Sequence, residues 1–524
     1  MIQKDRLFTY FISGFSFLVL ALALVARVRL LAIPLERDEG AFASIGHAMW
    51  QGAQLYTTLF DNKPPLLYAI YGSFTHLFGY SQMGVHLGLL IFHLATCFFL
   101  YLFVNQYYDK RIALLSVAFF SIFALLPNVF GFAAHATQLL LLPAIAGLWL
   151  LNRKPDNLPS IFFAGVLLSA SFLIKQQAVG IIAGAITLFL WESYERKKDG
   201  FRRVITTGLL FAAGLILPIA LMLAWFFSQG RLDDLWHWTV DIPGQLLEVG
   251  SASTGVFETY ILPYFHGFEL AIGLAFLGVI VQSANAQTRR PMIPFVLLFL
   301  LALATTFLGA AFYPHYFVLA LPFFAALCAS GACAFHHLIK TGGQPIAVLA
   351  ILLAIGYPVA IKSAYFFQPD FKKIHRQSYG LNPFPEMEEI GKTLGKQAKP
   401  GEILILGSEP EALVAAGQIP PTGYPFILDD RMPGSKEFQQ ATSDYLKNKK
   451  PKFVIFVPTA SSWYSGYQQS TFVRDLQSQL QQNYLLTGTA QIDKNYSKIL
   501  WNEEARKPPE DPSKIGALIF RRKE

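Results

Sequence analysis

The sequence predicts a polytopic α-helical membrane protein of about eleven transmembrane helices, with a small α/β domain at its C-terminal end. Three observations predict it. Of 524 residues, 53% are hydrophobic and only 15% charged, with a mean hydropathy of +0.41, whereas a soluble chain carries roughly 25% charged residues. The apolar residues gather in long runs of helix-spanning length. From about residue 365 the pattern changes to charged, polar and short β-rich stretches.

Taken in order, the apolar runs cover residues 8–27, 82–104, 112–128, 137–151, 159–174, 177–191, 204–228, 262–282, 292–311, 316–335 and 346–364. The first has a short basic start and no small-residue cleavage site, and Arg27 and Arg29 follow closely. It is expected to be a retained helix rather than a removed signal peptide. With the N-terminus cytoplasmic, fourteen Lys and Arg fall in inner segments, among them Lys110/Arg111, Arg202/Arg203 and Arg289/Arg290, against six in outer ones. That bias follows the positive-inside rule and, with an odd number of spans, puts the C-terminal region outside. The net charge of +8 therefore sets orientation. No basic patch interleaved with aromatic residues supports nucleic-acid binding. Cys97, Cys328 and Cys333 all lie in apolar spans, as small buried side chains rather than as disulfide or metal ligands.

Two domains are expected: residues 1–365, transmembrane, and 366–524, extracytoplasmic. The outer loop 30–81 of the first carries helices of its own. After Asp38 the stretch GAFASIGHAMWQG reads as a helix, with Asp38 or Glu39 suited to its N-terminal end, where a carboxylate meets free N–H groups. Ala41, Ile45, Ala48 and Met49 share one face, and Trp50 and Tyr56 suit a membrane interface. A second helix starts after Pro64-Pro65 and ends near Gly79, too short to cross a bilayer, so both helices are expected in the interface plane. In the C-terminal domain GEILILGS, PKFVIFVP and GALIFRR read as strands, and KEFQQATSDYLKNKK and FVRDLQSQLQQNY as helices. Gly407-Ser408 follows a strand, but no GxGxxG is present, so a simple strand-to-helix turn is favoured over a phosphate loop.

Asp38 and Glu39 are the strongest candidate site. A carboxylate at the water–lipid boundary can take a proton from a hydroxyl as that hydroxyl attacks a sugar carbon; a helix cap with a solvated neighbour is the plain alternative. Next comes Asp61-Asn62-Lys63-Pro64-Pro65. Lys63 supplies a mobile point charge for a phosphate, and the prolines restrict where it points; a headgroup-anchoring Lys is the alternative. Tyr313-Pro314-His315-Tyr316, His135 and Lys175 lie at outer ends of spans and could line an outward cavity, or each could simply reach water. The outer loop 229–262 holds Asp233, Asp234, His237, Asp241, Glu248 and Glu258. A divalent cation could bind such groups, yet their spacing matches no defined metal site, and no metal ligand is assigned.

In combination these motifs resemble the GT-C superfamily of membrane glycosyltransferases: an acidic pair after the first helix, a Lys-Pro-Pro-Leu entering a short helix, and a late Tyr-x-x-Tyr with His315 before the second Tyr. The nearest branch is the protein O-mannosyltransferase and lipid A aminoarabinose transferase group, over about residues 8–365. The resemblance implies a transferase that moves a sugar from a polyprenyl-phosphate donor to a hydroxyl of a lipid, glycan or protein, on the non-cytoplasmic face, with inversion. It implies Asp38 as general base with Glu39 as companion. It implies Lys63 on the donor phosphate; from their own positions Lys175, His315 and Tyr316 are expected to help there, and Asp61, Asn62 and His237 to offer an acceptor or metal neighbourhood. A bacterial inner membrane is the expected location. The chain departs from the pattern at Asn62, often a metal-binding Glu, and at His315, often Arg, so a divalent cation is allowed but not required. The residues alone also fit a membrane transporter or flippase without chemistry, although charges cluster at loop ends and no paired halves are visible.

Overall fold

The computed structural model describes residues 2–153, 157–195, 201–245, 262–307, 312–338, 343–427, 434–459, 463, 471–494, 496–507 and 511–524. Glu248 and Glu258 of the expected acidic loop lie outside them. The chain forms two compact units. The first comprises residues 1–30, 89–232 and 250–367, and the second residues 31–88, 233–249 and 368–524. The outer segment 31–88 thus belongs to the same unit as the C-terminal domain.

Helix is present in each of the eleven apolar runs. The helices are α1 Ile2–Arg29, α4 Gln82–Val104, α5 Lys110–Phe123, α6 Ala136–Arg153, α7 Leu158–Ile174, α8 Val179–Glu195, α9 Phe201–Ser228, α10 Glu269–Ser283, α11 Ala286–Ala304, α12 Leu321–Leu338 and α13 Gly343–Ile361. Among the described residues seven helical segments are long and apolar enough to cross a membrane, and Leu158–Ile174 and Glu269–Ser283 are shorter apolar helices. The chain is a polytopic helical membrane protein. In the first unit α12 is buried almost throughout and packs on α5, α10, α11 and α13. Its run of small residues, Ala325, Ala326, Cys328, Ala329 and Ala332, lets the neighbours approach closely. Local signals set the ends: Asp109 caps α5 by accepting from the N–H groups of Arg111 (2.9 Å) and Ile112 (3.0 Å).

The second unit begins with α2 (Arg37–Trp50) and α3 (Pro65–Phe78), which pack on each other. Ala41, Ile45 and Ala48 are buried as their spacing predicts. Tyr56, expected at an interface, is instead almost fully buried. It sits at φ +65°, and its hydroxyl donates to the Lys63 carbonyl. The C-terminal part is a five-stranded sheet in the order β1-β2-β5-β3-β4, with β1 Ile403–Leu406, β2 Phe453–Phe456, β3 Tyr484–Ile492, β4 Ser497–Trp501 and β5 Ile515–Arg522. β1 and β2 are parallel and the remaining pairs antiparallel. Helices α14 (Phe371–Tyr379), α15 (Phe384–Gly395), α16 (Glu411–Ala415), α17 (Ser435–Asn448) and α18 (Thr471–Asn483) complete it. One face of the sheet packs Ile403, Ile405 and Ile455 on Met387 and Ile390 of α15. The other packs Leu404, Val454 and Phe456 on Phe438 of α17 and Leu476 of α18.

Candidate functional site

The first turn of α2 carries three carboxylates with three different fates. Neither Asp38 nor Glu39 is the cap: Glu36 is, and its side chain accepts from the Glu39 N–H at 2.9 Å. Glu39 returns the bond, accepting from the Glu36 N–H at 3.2 Å. This reciprocal pair satisfies two otherwise orphaned backbone donors. The other oxygen of Glu39 lies 3.0 Å from His86 Nε2, and both side chains are buried. His86 Nδ1 is in turn 3.2 Å from the Leu31 carbonyl. Asp38, between the two, is half-buried.

Arg37 ties this turn to the C-terminal part of the same unit. It donates to the Ser408 carbonyl, to Asn382 Oδ1 and to Glu409 Oε1, each at 3.2 Å. Gly40 sits so close to the Glu411 backbone that an added Cβ would lie 2.6 Å from its Cα. Glu409 is fully buried and also accepts from the Ser408 N–H at 2.6 Å. Glu411, equally buried, has no hydrogen-bond partner for either carboxylate oxygen among the described residues. Burial first, then the charge of Glu409, pushes its carboxyl well above the usual range.

Residues 56–63 form a turn beside it. Phe60 donates its N–H to the Gly423 carbonyl at 3.0 Å and stacks on Tyr424. Asp61 accepts from the Asn62 N–H at 2.7 Å, Lys63 Nζ donates to Asn62 Oδ1, and the Lys63 N–H donates to the Tyr68 hydroxyl at 3.2 Å. Burial raises the Asp61 carboxyl, Lys63 pulls it back, and Asp38 is near enough to raise it further. The same carboxylates, Glu39 foremost, add to the burial that pushes the Tyr71 phenol up. His237 lies in a helical turn 3.8 Å from both Asp241 and Glu437. The Asn62 side-chain oxygen already holds an ammonium, while the second carboxylate oxygen of Asp61 is buried without a hydrogen-bond partner among the described residues.

Lys175, His315 and Tyr316 lie in the first unit, and there the structure brings them together. Lys175 is buried at the end of α7, with Nζ 4.2 Å from the centre of the Tyr316 ring. That face attracts a cation electrostatically. The His315 ring meets Tyr316 edge-on at 4.8 Å and stacks on His135 at 3.9 Å and 10°. His315 belongs to a 3-10 turn, Pro314–Ala320, that leads into α12. Cation, imidazoles and phenol make a set suited to an anion. The two imidazoles also offer nitrogen ligands suited to a metal.

Thus Asp38, Glu39, Asp61, Asn62, Lys63 and His237 fall in one unit, and Lys175, His315 and Tyr316 in the other. Sequence reasoning missed His86, Arg37, Glu409 and Glu411. His86 was the findable one, an ionisable residue one turn into an apolar helix. The others depend on pairings across more than 370 residues.

Comparison with known proteins agrees with the fold. Residues 62–225 match the family model for dolichyl-phosphate-mannose-protein mannosyltransferase. No curated protein sequence matches the chain. Among solved structures, ArnT from Cupriavidus metallidurans bound to undecaprenyl phosphate superposes with a TM-score of 0.56 at 15% identity, over 85% of this chain and 93% of that one. Its apo form gives 0.56 at 14% identity over 95% and 99%. The Archaeoglobus fulgidus oligosaccharyltransferase tethered to an acceptor peptide gives 0.52 at 12% identity, over 94% of this chain and 75% of that one. The chain shares the fold of these membrane proteins, with a small C-terminal sheet domain.

Proposed function

We propose that the protein is an integral membrane glycosyltransferase that moves a sugar from a polyprenyl-phosphate donor to a hydroxyl acceptor. The observation that carries this reading is the partition of acids in the first turn of α2. Glu36 and Glu39 are buried, in the helix cap and against His86, while Asp38 is half-exposed to solvent. The family match over residues 62–225 and an undecaprenyl-phosphate-bound structural relative support the donor class.

In this reading an acceptor hydroxyl attacks the anomeric carbon as its proton passes to Asp38. The bond from that carbon to the phosphate oxygen breaks, and its electron pair leaves with the polyprenyl phosphate. One displacement with one base inverts the anomeric centre. Lys63, held by Asn62 and set before Pro64-Pro65, takes a phosphate oxygen. Lys175 with His315 and Tyr316 makes a further anion-holding set. Glu39 acts as a positioning residue, fixing the turn through the Glu36 N–H and His86. The donor is a hexosyl or pentosyl lipid, and the acceptor a lipid, a glycan or a protein. The N-terminus is cytoplasmic and the C-terminal domain extracytoplasmic, in a bacterial inner membrane.

The test is sugar transfer by the purified protein from a panel of radiolabelled polyprenyl-phosphate sugars. One donor is consumed with inversion, and Asp38→Asn loses at least about a hundredfold in rate, the scale of general-base catalysis, with an unchanged melting temperature. Full activity in Asp38→Asn, or no donor consumed, overturns the reading.

A further inference from the structure

A cavity of about 440 Å³ opens between α1, α4 and α5, and none of its lining residues is used in the proposed reaction. Its walls are apolar. Phe17 and Leu24 of α1 and Leu94 and Phe98 of α4 line it, and all four are largely exposed on the outside of the helices, where lipid chains lie. Its floor is polar: Arg27 and His93 are each about 5% exposed. Arg27 donates to the Gly131 and Ala124 carbonyls through Nη1 and Nη2 at 3.3 and 3.4 Å, both long. Among the described residues Arg27 Nε and His93 Nδ1 have no partner. His93 Nε2 is 3.5 Å from the Cys97 sulfur.

Among the described residues no carboxylate lines this cavity. A guanidinium buried in a transmembrane helix without a counter-ion is expensive, and such residues usually mark a ligand or an ion path. The two carbonyl bonds tie down the chain around residues 124–131 but neutralise no charge. From Arg27 back to Phe17 is ten residues, about 15 Å along the helix. That is half of the roughly 30 Å hydrocarbon thickness, or one leaflet, the depth reached by one lipid chain. A buried cation at one end of an apolar slot one leaflet deep, open sideways to the bilayer, is complementary to a lipid with a charged phosphate. We propose that this cavity binds one chain of an anionic phospholipid, with the phosphate on Arg27 Nε and the chain along Phe17, Leu94 and Phe98.

The probes are oleoyl lysophosphatidic acid and oleoyl lysophosphatidylcholine, which share a chain and differ in headgroup charge. Each is titrated into the detergent-purified full chain, and bound lipid is counted by native mass spectrometry. The expected result is one molecule retained per protein, with about a tenfold preference for the anionic lipid. Ala21→Trp fills the slot from an exposed position of α1 and removes retention of both lipids. Arg27→Gln keeps retention and loses the preference. Equal binding of the two probes by the wild type, undiminished retention in Ala21→Trp, or displacement of the lipid by millimolar inorganic phosphate overturns the proposal. Should Arg27→Gln fail to fold, Ala21→Trp decides alone.

Discussion

At the scale of single residues, neighbouring acids with identical chemistry are sorted by what surrounds them. Asp38 and Glu39 were legible as a pair, because acidic residues after a hydrophobic span stand out. Which of them caps the helix was not, because Glu36 takes that place through a bond to the Glu39 N–H that no composition reveals. The pair Glu409 and Glu411 was not legible at all. One guanidinium, Arg37, serves both, and it sides with Glu409 at 3.2 Å. Among the described residues Glu411 is left buried without hydrogen-bond partners, and burial and the neighbouring Glu409 charge raise its carboxyl well above the usual range. Its folded pKa lies above its unfolded one. The unfolded chain therefore gives up a proton above about pH 4.5 that the folded chain keeps, and Glu411 costs stability as pH rises. Glu411→Gln keeps the shape and removes that cost. Its melting temperature is expected to exceed the wild type's at pH 8 and to match it near pH 4; equal values at both sink the argument. His375 runs the other way. Burial holds its imidazole down to about 3, while Nε2 donates to the Pro34 carbonyl at 3.0 Å. Between pH 6.5 and 3 the unfolded chain is protonated and the folded one is not, so stability falls with pH, by about 5 kcal/mol at the bottom of the window. His375→Gln, whose amide can replace the donor, should show a flatter melting profile from pH 7 to 5.

At the scale of elements, the helices were legible because each apolar run must satisfy its backbone internally, and only a helix does so within one segment. Strands β1, β2 and β5 were legible as short β-rich runs. β3 and β4 were not. β3 starts at Tyr484, directly after α18, and reads YLLTGTAQI, with Gly and Thr where alternation should be; its register slips around Gly488 against β5. β4 is five residues, mostly half-buried, of which Ile499 and Trp501 pack on the core behind the sheet. A hairpin of this kind is fixed by cross-strand contacts, which no local window contains. Close helix crossings are likewise invisible until the partner is known. Where α2 crosses α3, a Cβ on Gly46 would lie 2.5 Å from the Gly72 nitrogen and 2.6 Å from the Tyr68 carbonyl oxygen. Backbone cannot yield as a flexible side chain can. Gly46→Ala is therefore expected to cost about 2 kcal/mol, read as a lowered melting temperature and a loss of transfer that scales with it. Gly52, with φ +97° and open space around it, serves as the control for a glycine constrained by conformation alone.

At the scale of the whole molecule, the sequence divides naturally near residue 365, where composition changes, but the compact units divide elsewhere. The segment 31–88 lies between two transmembrane helices in the chain, so composition assigns it to the membrane part. What binds it to the second unit is particular and distant in sequence. Gly40 lies against Glu411, Arg37 reaches Ser408 and Glu409, Tyr80 donates to the Gln418 carbonyl at 2.8 Å, and Phe60 donates to the Gly423 carbonyl at 3.0 Å. These contacts also give the C-terminal domain a role: α16 packs on one side of α2, and the loop before α16 holds the turn that carries Asp38. A chain ending at Phe367 keeps every helix of the first unit and loses every one of those partners. In membranes it is expected to insert normally, to become sensitive to added protease within residues 31–88, and to lose sugar transfer. If that segment stays as resistant in the shortened chain as in the full one, α2 is held by something other than the C-terminal domain, and the positioning of Asp38 must be argued from other contacts.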